Sequence, residues 1–144
     1  MHGGSILLVE DNRDDELLTM DALRNAGVAN IVTVVRDGAE ALDYLFAQGS
    51  FASRDASRQP CVTLLDLKLP KIGGLEVLRR IKTDERTRLI PVVVLTTSSE
   101  QEDIRNCYGN GANSYVPKPV DFDRFLDAVR QLGLYWTRVN EPAV

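Results

Sequence analysis

The chain has 144 residues, 44% hydrophobic and 26% charged, which is enough for one ordinary core and leaves no length for a second full domain. Its net charge of −4 (17 basic and 21 acidic side chains) argues against a general nucleic-acid role, and no apolar run nears the roughly 18 residues of a membrane span. The single histidine, His2, excludes Ser-His-Asp triads and multi-histidine zinc sites, while two distant cysteines, Cys61 and Cys107, and the lack of a secretory signal predict a reduced, cytoplasmic setting.

In chain order, the first apolar run spans residues 6–9 and predicts a strand. Leu17, Met20, Leu23 and Ala26 follow at helical spacing. A second run covers 31–35, and Ala41, Leu42, Leu45 and Phe46 form the next helical stripe. Residues 48–60 are a polar Gly/Ser/Arg/Asp/Pro stretch, longer than most connections. The third run is 62–65, followed by the stripe Leu75, Leu78 and Ile81. After the fourth run, 92–95, comes a poorer helix over 100–110, with Ile104, Cys107 and Tyr108 as its larger apolar residues. It is predicted to be loosely anchored. A short fifth run, 114–116, precedes Phe122, Phe125, Leu126, Val129 and Leu132, the cleanest helical face in the chain. Residues 133–144 remain as a tail carrying Leu134, Tyr135 and Trp136. The strand runs are mostly unbroken rather than alternating, as in parallel sheets covered on both faces. Strand and helix alternate five times, which predicts a doubly wound α/β domain with right-handed crossovers.

Ligands of open α/β sheets bind outside the carboxyl ends of the strands, so the residues that end each strand matter most. They are Glu10 and Asp11 after the first, Asp66 after the third, Thr96 after the fourth and Lys118 after the fifth. Each has a plain structural reading: a carboxylate can cap a helix, a threonine can satisfy backbone, and a loop lysine can be solvated. Asp66 resists that reading, because it follows Leu64 and Leu65 at the lip of the core, where an unpaired carboxylate is costly. Clustered carboxylates repel one another, and a divalent cation such as Mg²⁺ relieves the repulsion. A phosphoryl group on Asp66 would then meet a cation on one side and Thr96 and Lys118 on the other. Phosphoryl transfer needs positioning and charge neutralisation, so the scarcity of histidine is no obstacle.

The motifs Leu8-Val9-Glu10-Asp11-Asn12, Leu65-Asp66-Leu67-Lys68-Leu69-Pro70 with Gly73-Gly74, Pro91-Val92-Val93-Val94-Leu95-Thr96 and Tyr115-Val116-Pro117-Lys118-Pro119 resemble those of a response-regulator receiver domain of two-component signalling. The resemblance covers roughly residues 5–132 and implies a flavodoxin-like (βα)5 fold with strand order 2-1-3-4-5. It implies a receiver over 1–132, with an insertion at about 48–60, and a tail over 133–144 too short for an output domain. It makes Asp66 the phosphoacceptor. Glu10, Asp11, Asp66 and the backbone carbonyl of Lys68 would bind Mg²⁺ (or Mn²⁺). Thr96 and Lys118 would contact the phosphoryl group, and Tyr115 would switch with Thr96. The Lys118–Pro119 bond is expected to be cis. The phosphohistidine donor would be a sensor histidine kinase or a phosphotransfer protein, and the chain would be a phosphoacceptor switch rather than an enzyme. The insertion and tail further resemble stand-alone receivers that accompany phytochrome-type kinases, many of which are homodimers. Leu134, Tyr135 and Trp136 then either form a dimer interface or fold back on their own domain.

Two other classes with similar sheets fit less well. A haloacid-dehalogenase-type phosphatase needs a second Asp two residues after its nucleophile, where this chain has Lys68. A flavodoxin needs a hydroxyl- or glycine-rich phosphate loop where this chain has Glu10-Asp11-Asn12-Arg13-Asp14-Asp15. A phosphorylation-independent scaffold remains open on the sequence alone.

Overall fold

A computed structural model describes residues 4–143, so His2 lies outside the described part. The strands are β1 (Ile6–Val9), β2 (Val32–Val35), β3 (Val62–Leu65), β4 (Val92–Thr96) and β5 (Ser114–Pro117). The helices are α1 (Arg13–Asn25), α2 (Gly38–Phe46), α3 (Gly74–Thr83), α4 (Gln101–Gly109) and α5 (Phe122–Leu134). All strand pairs are parallel, in the order β2-β1-β3-β4-β5, as expected from the sequence.

Alternate side chains along each strand point to opposite faces, so the unbroken apolar runs feed two cores. Leu7, Val9, Leu65, Val92 and Val94 pack with Ala41, Leu45, Val77, Leu78 and Ile81 of α2 and α3. Ile6, Leu8, Val62, Leu64, Val93 and Leu95 face the opposite side, with Ala22 and Leu23 of α1 and Phe125 and Val129 of α5.

Three helices begin on side-chain caps: Asn12 accepts from the Asp15 N–H, Asp37 from Glu40 and Asp121 from Arg124. Asp14, Asp15 and Glu16 put negative charge at the N-terminal turn of α1, where the helix dipole favours it.

Two stripes differ from expectation. In α1 the buried residues are Glu16, Thr19, Ala22 and Leu23, and Leu17 is exposed. Glu16 is covered because Arg36 and Arg13 neutralise it, which rotates the inward face away from Leu17. Phe122, the first residue of α5, is also exposed. The thin anchoring of α4 agrees with expectation: Cys107 is its only buried residue.

The polar stretch 48–60 is held by Arg54, which donates to the carbonyls of Tyr44 and Arg58 and lies 4.0 Å from the Tyr44 ring centroid. Past α5 the helix widens into one π-helical turn, Tyr135–Val139. Trp136 is buried with the α1–α5 core, edge-on to the exposed Tyr135 at 5.0 Å. Arg138 donates to the Gly27 carbonyl, and a Cβ at Gly133 would meet Leu23 Cδ2 at 2.5 Å, so the tail is seated tightly on α1. Trp136 therefore takes the fold-back reading, which leaves Tyr135 as the exposed aromatic of the tail. Trp136→Ala is expected to cost about 3–5 kcal/mol of stability, as for other buried large-to-small changes. Urea unfolding followed by far-UV circular dichroism measures this; a loss under about 1 kcal/mol would mean the tail does not anchor the core.

Candidate functional site

The strand order brings four strand ends side by side. β1 and β3 are neighbours, so Glu10 and Asp66 leave the sheet together; β3–β4 and β4–β5 pairing adds Thr96 and Lys118. The ladder extends one residue past the strands, since the Glu10 N–H donates to Val35 O, Asp66 N–H to Val9 O and Lys118 N–H to Thr96 O. The backbones of these three residues are therefore fixed before their side chains are considered.

The Asp66 carboxylate is buried and uses both oxygens. Oδ1 accepts from the Thr96 hydroxyl at 2.8 Å and from the Lys68 N–H at 3.2 Å; Oδ2 accepts from Lys118 Nζ at 3.0 Å. Gly74 packs against this turn so closely that a Cβ there would lie 2.2 Å from the Asp66 carbonyl oxygen. Only glycine fits, which explains one of the two glycines after the Asp66 motif.

The Lys118 side chain is 5% exposed, and its ammonium donates to Glu10 Oε1 at 2.6 Å, Asp15 Oδ2 at 2.8 Å and Asp66 Oδ2. Burial acts to lower its pKa, but the hydrogen bonds it donates to Asp15 and Glu10 and the charges of Asp66 and Glu10 outweigh burial, and the net direction is upward. Burial pushes the Glu10 carboxyl up to about 7, against the opposing pull of Lys118. Tyr115 Oη donates to the Ser98 carbonyl at 2.8 Å, and the Ser98 hydroxyl donates to Asp103 of α4 at 2.5 Å.

Glu10, Asp11 and Asp66 each offer a carboxylate oxygen, and these oxygens lie within 4.8 Å of one another. An all-oxygen donor set with partial solvent access on the exposed Asp11 suits a hard divalent cation that keeps some of its water.

Glu10, Asp11, Asp66, Thr96 and Lys118 are thus in this cluster, the Lys68 N–H reaches it, and Tyr115 is one hydrogen bond from its β4–α4 edge. The expected cis geometry is corrected: among the described residues no peptide bond is cis, and Lys118–Pro119 is trans. An X–Pro bond prefers trans by about 0.5–1 kcal/mol, and the Lys118 N–H reaches Thr96 O with that isomer. Asp15 was not foreseen. It looks like one more acid in a helix-start cluster, and only the packing of α1 beside α5 reveals its ion pair with Lys118.

Comparison with known proteins agrees with this geometry. The family model for the response regulator receiver domain matches residues 6–130. The chain is 44% identical to the probable methanogenesis regulatory protein FilR2 of Methanothrix harundinacea, over 96% of this chain and 88% of that one. It is 36% identical to response regulator Rcp1 of Synechocystis, over 96% and 92% of the two chains. The crystal structure of Mn²⁺-bound Rcp1 superposes with a TM-score of 0.91 over 98% of this chain and 99% of that one, at 33% identity. The phosphorylated cyanobacterial phytochrome response regulator RcpA gives the same TM-score and coverage at 38% identity.

If the acidic cluster binds a cation, Mg²⁺ will raise the melting temperature. At ten times the dissociation constant the gain is about 1.4 kcal/mol, a few degrees for a chain of this size. Calorimetry with and without Mg²⁺ tests this, and Asp11→Asn is expected to remove most of the shift.

Proposed function

Because the chain belongs to the response regulator receiver domain family, we propose that it is a single-domain phosphorylation switch whose Asp66 accepts a phosphoryl group from a sensor histidine kinase. The observation that carries this reading is the convergence of Asp66, Thr96 and Lys118 with the carboxylates of Glu10 and Asp11.

In the proposed reaction an Asp66 oxygen attacks phosphorus, the P–N bond of the donor phosphohistidine breaks, and the imidazole leaves. Glu10, Asp11, Asp66 and the Lys68 backbone carbonyl would hold Mg²⁺ (or Mn²⁺), which when bound neutralises charge on the transferring group. Lys118 and the Thr96 hydroxyl donate to the phosphoryl oxygens. The chain acts as phosphoacceptor rather than as an enzyme with a separate substrate.

Thr96 gives up its bond to Asp66 Oδ1 when it moves to the phosphoryl group, and Tyr115 adjusts with it. Because Tyr115 reaches Ser98 and Ser98 reaches Asp103, the change passes into α4, whose single buried residue, Cys107, offers little resistance.

The similarity to RcpA supports a phytochrome-type kinase as donor. A histidine phosphotransfer protein would present the same phosphoimidazole in a multistep relay. No helix among the described residues is long and apolar enough to cross a membrane, and the proposed partner places the reaction in the cytoplasm.

Incubation with acetyl phosphate and Mg²⁺ is expected to add one phosphoryl group by intact mass, lost in Asp66→Asn. No adduct with any divalent metal would favour a phosphorylation-independent scaffold instead.

We also propose a homodimer through the tail face. Tyr135 and Val139 are exposed there beside a groove of about 480 Å³ lined by Val116, Ala128 and Leu132. Light scattering is expected to give a dimer that Tyr135→Asp converts to monomer; a monomer in both forms overturns this.

A further inference from the structure

An ammonium group has three N–H donors, and all three of Lys118 are engaged, by Glu10, Asp15 and Asp66. A phosphoryl oxygen can reach Lys118 only by displacing one of these carboxylates. Asp66 is the acceptor itself, and Glu10 belongs to the acidic cluster with Asp11. Asp15 belongs to neither. It sits in the first turn of α1, with a side chain 26% exposed against 3% for Glu10 and 9% for Asp66. It is the most accessible of the three and the one that can rehydrate on release.

Asp15 is also held in place. Its N–H donates to the capping side chain of Asn12 at 3.0 Å. The next residue, Glu16, is buried and accepts from Arg36 Nη2 at 3.0 and 3.1 Å and from Arg13 at 3.1 Å. These contacts tie the first turn of α1 to the end of β2 and keep the Asp15 carboxylate facing Lys118.

We infer that Asp15 is a positioning residue that tethers the Lys118 ammonium on the α1 side of the pocket and so restrains phosphoryl capture by Asp66. The inference rests on the phosphoacceptor reading and adds to it a residue outside the acidic cluster. Capture of an anion then means exchanging the Asp15–Lys118 pair for a phosphoryl–Lys118 pair. The negative charge of Asp15 opposes that exchange twice, by holding the cation and by repelling the incoming group.

The test is the rate of phosphorylation by acetyl phosphate at saturating Mg²⁺. In that reaction an Asp66 oxygen bonds to phosphorus, the bond between phosphorus and the acetyl oxygen breaks, and acetate leaves. The variants are Asp15→Asn, Asp15→Ser, Asp15→Glu and Asp14→Asn, the last removing the same charge from the exposed neighbouring side chain. Far-UV circular dichroism checks that each is folded, and the NMR resonance of the Lys118 ammonium reports the tether independently of rate.

Phosphorylation is expected to be about three- to tenfold faster in Asp15→Asn and Asp15→Ser, the scale of removing one partly screened charge near an anion. Asp15→Glu and Asp14→Asn are expected to stay near the unaltered rate, and the Lys118 resonance is expected to move only in the Asn and Ser variants. An equal or lower rate in the folded Asn or Ser variant overturns the inference, as does the same acceleration in Asp14→Asn. No adduct on the unaltered chain overturns the phosphoacceptor reading and this inference with it. An adduct that forms at a rate independent of Asp15 overturns this inference alone.

Discussion

The ammonium of Lys118 is the charge on which the rest of the site depends. Glu10 and Asp66 are buried at the mouth of a parallel sheet, where a carboxylate without a cationic partner is costly. Removing one partner from a buried ion pair costs about 3–5 kcal/mol, because the remaining charge is left without compensation. The sheet order makes the pairing attainable. Lys118 follows β5, and Glu10 follows β1, with β3 and β4 between them. Three strand spacings of about 4.8 Å separate the two backbones, and only a long side chain leaning across the strand ends closes that gap. A lysine also offers three independently aimed donors, which matches three carboxylates approaching from different elements better than a planar guanidinium would.

One ammonium cannot balance the site. Glu10, Asp11, Asp15 and Asp66 carry four formal negative charges when ionised, against one on Lys118. That imbalance, through the charge of Asp66, adds to the burial that is the main cause pushing Glu10 up to about 7 even with Lys118 beside it. It also explains how the same pocket suits a divalent cation and resists an anion until a cation is present. In the proposed function a phosphoryl group and a metal together would change the balance, and Thr96 and Lys118, now bonded to Asp66, are the groups that would re-aim. Under the proposed function the pocket would switch because its charges are unbalanced at rest, and the residues that would respond are those that already touch Asp66.

Much of this was legible in the sequence, for reasons that differ by residue. The five unbroken apolar runs encode a covered parallel sheet, and that topology alone forces Glu10, Asp66, Thr96 and Lys118 onto one rim. Asp66 was conspicuous because a carboxylate between leucines needs a partner. Helix faces were less legible. Leu17 reads as inward by spacing, yet Glu16 is the buried residue, because Arg36 comes from a different strand and no local pattern encodes it. Asp15 was hidden for the same reason, its partner lying 103 residues away. The proline geometry at Lys118–Pro119 was a matter of resemblance rather than of residues, and the trans form follows the ordinary amide preference. Trp136 was open to an interface or a core reading, since hydrophobicity alone does not say which surface covers an aromatic.

The position of Trp136 decides where a change at Asp66 can go. On the α1–α5 side, Leu23, Val28, Val129 and Trp136 close one core, Gly133 leaves no space against Leu23, and Arg138 clamps the Gly27 carbonyl. A close-packed face of this kind transmits strain without yielding to it. On the other side, α4 buries only Cys107 and lines a cleft of about 320 Å³ beside Lys68, Gly74 and Ser98. Its polar ties, Tyr115 to Ser98 and Ser98 to Asp103, start from the same β4–α4 turn that follows Thr96. A displacement of Thr96 therefore meets a stiff wall through α1 and α5 and a soft one through α4. The softness follows from composition: nine residues with one buried side chain anchor a helix weakly. In the proposed switch the α4–β5 edge would accordingly be the outlet, while the α1 side, held by Glu16 and Trp136, would serve as the fixed frame.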